Sequence, residues 1–272
     1  MILDPDDWLK NDVSKKIKLN FIFSHLLILY WAVFEFSLPI FFIGILFYIL
    51  IGKLAADIGF HRYFTHKSFT TNRWIRKYLL INSTLIGHGS ILLWVVTHRI
   101  HHINVDTDKD PHSPIYFGLI KTWLRSWTPQ NKPNMLLVKD LYKDNEILFL
   151  HKHYWKIFYL WLSFLIVLSL TLNSLYPLLL FFAFPNAMVF HEAGAVNAVC
   201  HLHGYQSYKT KDHSKNNVFV NFFTFGNGMH NTHHANPRTY TTDIHNKWYE
   251  CDPMKYIIKL LSYDGTRVEN KM

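Results

Sequence analysis

Residues 19–56 read LNFIFSHLLILYWAVFEFSLPIFFIGILFYILIGKLAA, two apolar runs joined through FSLP at Pro39. A bilayer core of about 30 Å takes about 20 helical residues, and each run is close to that length. The join is too short for anything but a tight helical hairpin. A third run at 157–172 leads through NSLYP to a fourth at 178–190, which continues in small and apolar residues to about Cys200. Four buried helices of a soluble protein are the plain alternative. Helices of that kind alternate apolar and polar faces, and these runs do not. The reading is an all-α integral membrane protein with four transmembrane helices in two hairpins, at about 19–37, 39–57, 156–173 and 175–199. Residues 58–155 and 200–272 are left to form a helical cap, with 1–272 as a single membrane domain.

Charge sets the expected topology. Of the 28 Lys and Arg, four precede the first run, fifteen lie from Lys53 to Lys156 and nine from Lys209 to Lys271, with none in either hairpin tip. The positive-inside rule then places both termini and the cap in the cytoplasm. A net charge of +9 reads as attraction to an anionic inner leaflet. No nucleic-acid-binding motif accompanies it. Two cysteines, Cys200 and Cys251, give no disulfide framework. The acidic opening MILDPDDWLK does not read as a signal peptide, and no lipidation motif is expected to add an anchor.

Three short clusters carry the chemistry: HRYFTH at 61–66, HRIHH at 98–102 and HNTHH at 230–234. Neutral imidazole binds borderline transition metals near pH 7. On a helix, i, i+3 and i+4 share a face, so each HxxHH is expected to aim three nitrogens at one point. Eight aimed imidazoles exceed what one tetrahedral zinc needs, which points to two metals. His61 and His66 are i and i+5, about 140° apart on a regular helix, so their convergence calls for a helix end or kink beside Gly59. Asn197 and His201, i and i+4 in NAVCH, add a further candidate pair, the Asn acting through a bound water. His203 points the other way. All clusters fall at or beyond the ends of the expected spans, whereas a metal transporter is expected to hold its ligands near the midplane.

Other features have plainer readings. Residues 72–97 mix basic and apolar side chains and read as helices on the membrane surface. In DTDKDPHSP at 106–114 the three Asp read as solvated or capping residues. His25 reads as packed, and His151, His153, His213 and His245 as surface residues. His88 and His112 are possible neighbours of the metals. HEAGA at 191–195 fails the zinc-protease HExxH pattern, and Glu192 is expected to face a polar cavity. All-nitrogen ligation over two sites suits iron with a position open for dioxygen. Together with apolar, aromatic surroundings this suggests oxidation of a long-chain substrate drawn from the bilayer.

From about residue 59 to about 265 the chain resembles the membrane-bound fatty acyl desaturases of the Δ9 type. The likeness rests on HRYFTHKSF, WVVTHRIHH, DTDKDPHSP, NAVCHLHGY, KNNVFVNFFTFGNGMHNTHHANPR and KWYECDPMKY, with 31 and 127 residues between the boxes. It implies two irons (Fe2+) on nine histidines, here His61, His66, His98, His101, His102, His201, His230, His233 and His234, with Asn197 holding a water. It implies dioxygen as co-substrate and a cis double bond made by the di-iron centre, with no separate protein acid or base. By analogy Trp94 is a tunnel-wall residue, and Ile45, Tyr48 and Ile49 close the tunnel. The implied substrate is an acyl-CoA or a membrane acyl-lipid. No HPGG haem motif appears in the sequence, so electrons are expected from a separate ferredoxin or b-type cytochrome with its reductase.

Three departures stand out. Val96 and Thr97 occupy the places of an Arg-Asp pair found in animal acyl-CoA enzymes. GNGMHN at 226–231 stands for the usual GEGWHN. Ala193 and Gly194 replace a frequent Thr-Trp pair, which is expected to widen the pocket near the substrate head. The alternatives are a lipid or alkane hydroxylase using the same histidine boxes, separated by its product, and a histidine-rich metal transporter, which predicts no oxygen-dependent change in lipids.

Overall fold

The computed structural model describes residues 13–125 and 135–263. Lys10 and the acidic opening, which entered the charge and leader expectations, lie outside them. Among the described residues every extended element is helical, and strand-like pairing is limited to isolated bridges such as Thr71 with Ser262 and Asn216 with Met229. Four helices are long and apolar enough to cross a membrane: Lys15–Phe34, Leu38–Thr65, Tyr154–Thr171 and Tyr176–Leu202. They fall where the four runs were read, the second continuing past its expected end. In the order used below, α1 is Val13–Phe34, α2 is Leu38–Thr65, α3 is Arg73–Leu85 and α4 is Ile91–Asn104. Then come α5 (Leu119–Arg125), α6 (Tyr154–Thr171), α7 (Tyr176–Leu202), α8 (Val218–Phe223), α9 (His230–Ala235) and α10 (Met254–Leu261).

The chain divides into two compact units, one of Met1–Gly59, Tyr78–Val96 and Pro129–Phe190, the other of Phe60–Lys77, Thr97–Thr128 and His191–Met272. In the first, Trp31, Phe158, Leu162, Leu165, Leu179, Phe182 and Phe184 form a buried cluster. The outward side chains of the spans are also apolar: Leu26, Leu29, Val33, Phe42, Leu160, Phe164 and Leu170 are all exposed. A surface of that kind suits a hydrocarbon solvent rather than water. Gly44 lets α2 pack closely on α7, since a Cβ there would stand 2.7 Å from the Phe184 ring.

From Tyr48 to Thr65, α2 is wound as a π-helix, with i→i+5 hydrogen bonding. Side chains of the α3 segment donate to carbonyls along it: Tyr78 OH to Leu50 O at 3.1 Å, Asn82 Nδ2 to Ile51 O at 3.0 Å and Ser83 Oγ to Ala55 O at 3.1 Å. Gly59 permits this approach, because a Cβ there would lie 2.5 Å from Ser83 Oγ. Lys53 and Asp57, one turn apart, form an ion pair at 2.9 Å with both side chains fully buried. Pairing makes two charges tolerable inside an apolar span.

The surface expectation for 72–97 is corrected at its end: Trp74, Tyr78 and Ile81 are exposed, but Ile91, Leu92, Leu93, Val95 and Val96 are buried core. The turn before α4 directs them inward: Gly87 and Gly89 adopt φ of 85° and 92°, a conformation that favours glycine. Asn186 Nδ2 donates to Ile86 O at 2.8 Å, and the amide of Gly89 donates to Tyr154 OH at 2.9 Å.

Candidate metal centre

Every residue of the centre belongs to the second unit. His61 lies in the last turn of the π-wound part of α2, and His66 directly follows its last residue, Thr65. The amide of His66 donates to His61 O at 3.1 Å, so five residues close one turn and both rings come to one side. The expected helix end is what the structure has, closed by a five-residue turn rather than a kink. Thr65 Oγ1 repeats the spacing with a bond to Phe60 O at 2.7 Å, and Arg99 Nη2 donates to Phe64 O and Thr65 O at 3.2 and 2.9 Å. Arg62 anchors the same turn. Its guanidinium forks onto Asp252 at 2.7 and 3.2 Å and donates to Tyr240 O at 2.7 Å, all buried.

The histidines form two sets. In one, the Nε2 atoms of His66, His98, His102, His233 and His61 follow one another at 3.1 Å each. In the other, one ring nitrogen from each of His101, His201, His230 and His234 lies within 4.8 Å of the rest, with His201 and His230 Nε2 3.0 Å apart. Two imidazole nitrogens bound about 2.0–2.1 Å from one ion would be separated by about 3 Å. Within the second set the buried Nε2 atoms of His101 and His234 have no hydrogen-bond partner, which buried nitrogens rarely tolerate. The residues present therefore fit a metal in each set.

The HxxHH expectation is corrected in one respect. Neither group aims three nitrogens at one point: His98 and His102 serve the first set and His101 the second, while His230 and His234 serve the second and His233 the first. Positions i+3 and i+4 lie about 100° apart around a helix, so adjacent histidines diverge. Each helix thereby contributes to both sets, in opposite proportions.

Three carboxylates, not the ring pKa values as a whole, distinguish the second set. Burial, then the neighbouring imidazoles, holds His66, His98, His102, His230 and His233 well below the ordinary histidine range. These rings are neutral at pH 7 and offer lone pairs. Three Nδ1 atoms of the second set face carboxylates: His101 to Asp110 at 2.9 Å, His201 to Asp106 at 3.1 Å and His234 to Asp212 at 3.2 Å. Burial lowers the pKa of His101, yet the carboxylates of Asp110, Asp106 and Asp212 together outweigh it and the net shift is upward. Burial takes His234 down to about 4 despite Asp212. For Asp106, Asp110 and Asp212 burial favours protonation, but the histidine bonds and nearby N–H and O–H donors hold each carboxyl below the usual range.

These aspartates are what the sequence reading missed. Asp108 is exposed as expected, whereas Asp106 and Asp110 are turned onto histidines. Their i, i+4 spacing directly after HRIHH was the available signal; nothing around Asp212 offered one. His112 is buried with its ring 5.6 Å from His101. His88 lies in the other unit, its Nε2 3.1 Å from Asn186 O. His151, expected on the surface, is part-buried with Nδ1 2.6 Å from Ser90 Oγ. Asn197 is buried one turn before His201 on α7. Glu192 is buried too and accepts from Asn227 Nδ2 at 2.5 Å.

Trp94, Ile45, Tyr48 and Ile49 belong to the first unit, Tyr48 fully buried and the others partly so. The expected widening at Ala193-Gly194 is not what the structure has. Trp123 of α5 fills the room beside Gly194, where a Cβ would lie 2.5 Å from the indole Cδ1. The indole Nε1 donates to His191 Nδ1 at 3.1 Å.

The fatty acid desaturase family profile matches residues 22–259. An sn-1 stearoyl-lipid 9-desaturase of Anabaena variabilis is 34% identical over 233 residues, covering 85% of this chain and 83% of its own. An acyl-CoA 5-desaturase of Anemone leveillei is 32% identical over 247 residues, covering 89% and 74%. The delta-9 acyl-lipid desaturase 1 of Arabidopsis thaliana is 28% identical over 270 residues, covering 97% and 85%. With four apolar spans and two convergent histidine sets already in place, the chain belongs to the fatty acid desaturase family.

Proposed function

We propose that this protein is an oxygen-dependent fatty acyl desaturase that introduces a cis double bond at Δ9 of a saturated acyl chain, using two irons. The observation that carries this reading is the pair of convergent, buried to half-buried histidine sets within a chain of desaturase family. His61, His66, His98, His102 and His233 would hold one iron; His101, His201, His230 and His234 would hold the other, with Asn197 acting through water. When bound, the iron pair supplies the redox chemistry that activates dioxygen. The chain's own part is to present neutral imidazoles, to fix their orientation through Asp106, Asp110 and Asp212, and to exclude water by burial. No side chain is assigned as a separate acid or base.

The Δ9 position rests on the 9-desaturase relatives; others act as 5-desaturases on acyl-CoA, so both acyl-CoA and acyl-lipid are proposed carriers. Ile45, Tyr48 and Ile49 are proposed to limit chain length, and Trp94 to line the acyl chain's path. A separate ferredoxin or b-type cytochrome with its reductase would deliver electrons to the basic cytoplasmic surface. Two membrane hairpins, cytoplasmic termini and a cytoplasmic centre follow from the distribution of Lys and Arg, with 1–272 acting as one functional domain.

Metal analysis of active, purified protein tests the reading. About two irons per chain are expected, with loss of iron and of product in His102→Ala and His234→Ala. Activity that tracks a single zinc would overturn it.

A further inference from the structure

Asp106, Asp110 and Asp212 all serve one of the two histidine sets, and each is itself held in place. Asp110 accepts from the amides of His112 and Asp106, both at 2.9 Å. Asp106 accepts from Ser113 Oγ at 3.1 Å and from the amide of His213 at 2.8 Å. Its backbone adopts φ of 58°, a conformation Asp tolerates better than most residues. Asp212 accepts from the Ser214 amide at 2.9 Å, from Ser214 Oγ, and from Thr210 Oγ1 at 3.0 Å. The other set has a different setting. The Nε2 atoms of His66, His98, His102, His233 and His61 follow one another at 3.1 Å, and Arg99 Nη2 donates to Phe64 O and Thr65 O just before His66.

A carboxylate accepting from imidazole Nδ1–H makes Nε2 a stronger donor and favours the more highly charged ion. In a buried site its negative charge acts at short range with little screening. We infer that the two metal sites are electrostatically unequal: Asp106, Asp110 and Asp212 make the His101, His201, His230 and His234 site the one that holds its ion more tightly and gives up an electron first. This rests on the two-iron reading above. These aspartates are positioning residues, acting through the histidines.

The test uses full-length protein loaded with 57Fe, reduced to the all-ferrous state and titrated with ferricyanide. Each iron loses one electron, Fe2+ to Fe3+, as one ferricyanide becomes ferrocyanide. After one equivalent the Mössbauer spectrum is expected to show one ferric and one ferrous iron on the same protein. A chelator should remove the irons in two phases, leaving last the iron that oxidises first. Asp110→Asn and Asp212→Asn should each shift the spectrum of that iron and lower its resistance to chelation about 10–100-fold, while the other iron keeps its spectrum. Wild-type irons that oxidise in parallel, or variants that leave the order and both spectra unchanged, overturn the inference. The wild-type titration decides even if a variant fails to fold. A chain that takes up only one ion contradicts the two-iron reading itself, a distinct result seen before any oxidant is added.

Discussion

The amide of His66 donates to the carbonyl of His61 across 3.1 Å, and that five-residue turn turns an awkward spacing into a shared face. The same turn carries Arg62, whose buried fork onto Asp252 joins the first histidine box to the segment before α10. Helix winding and one ion pair thus fix where His61 can point.

Asp252→Asn would remove the charge from the carboxylate onto which the buried Arg62 guanidinium forks. A loss of about 3–5 kcal/mol is expected, read as a lowered unfolding midpoint in detergent. The double variant with Arg62→Met should lose clearly less than the sum of the two single changes. Additive losses would show that the pair is not coupled as described.

Gly194 and Trp123 make a second coupled pair. Gly194→Ala places a methyl 2.5 Å from the indole, so overpacking should cost about 1–3 kcal/mol. Removing the indole with Trp123→Ala should suppress that cost. Unfolding midpoints of the two single variants and the double variant in detergent read this coupling; a Gly194→Ala cost that is the same with and without the indole would contradict it.

His88 offers a pH signature apart from the metal centre. Burial lowers its pKa to about 4, although its bond to the Asn186 carbonyl favours the charged form. In the unfolded chain it titrates near 6.5. Below that value the unfolded chain binds a proton that the fold refuses. Stability from this group is therefore full above about 6.5 and is lost as pH falls toward 4, by about 3 kcal/mol over the window. His88→Gln keeps a donor for the carbonyl and should flatten that part of the stability–pH curve, as followed by denaturant unfolding at stepped pH.

Much of this is legible in the sequence. The four spans could be read because a lipid-facing helix is apolar on every side, a signal that needs no tertiary information. The histidines could be read because imidazole is one of the few side chains that can hold a transition metal, and here it recurs in three short clusters. What sequence could not give was their division between sites, which depends on α4 and α9 contributing in opposite proportions. Nor could it give the π-winding of α2, which side chains remote in sequence, Tyr78, Asn82 and Ser83, help to hold. Asp212 was silent for the same reason: it meets His234 only through the fold. Gly194 looked like empty space until α5 supplied the indole.

The most direct test is the lipid profile of a host that makes no unsaturated acyl chains, expressing this protein with a compatible electron donor. Mass spectrometry of derivatised lipids should show monoenes with the double bond at Δ9, dependent on oxygen and absent from His102→Ala and His234→Ala. Hydroxylated lipid as the sole product, or a profile that oxygen does not change, would contradict the assignment.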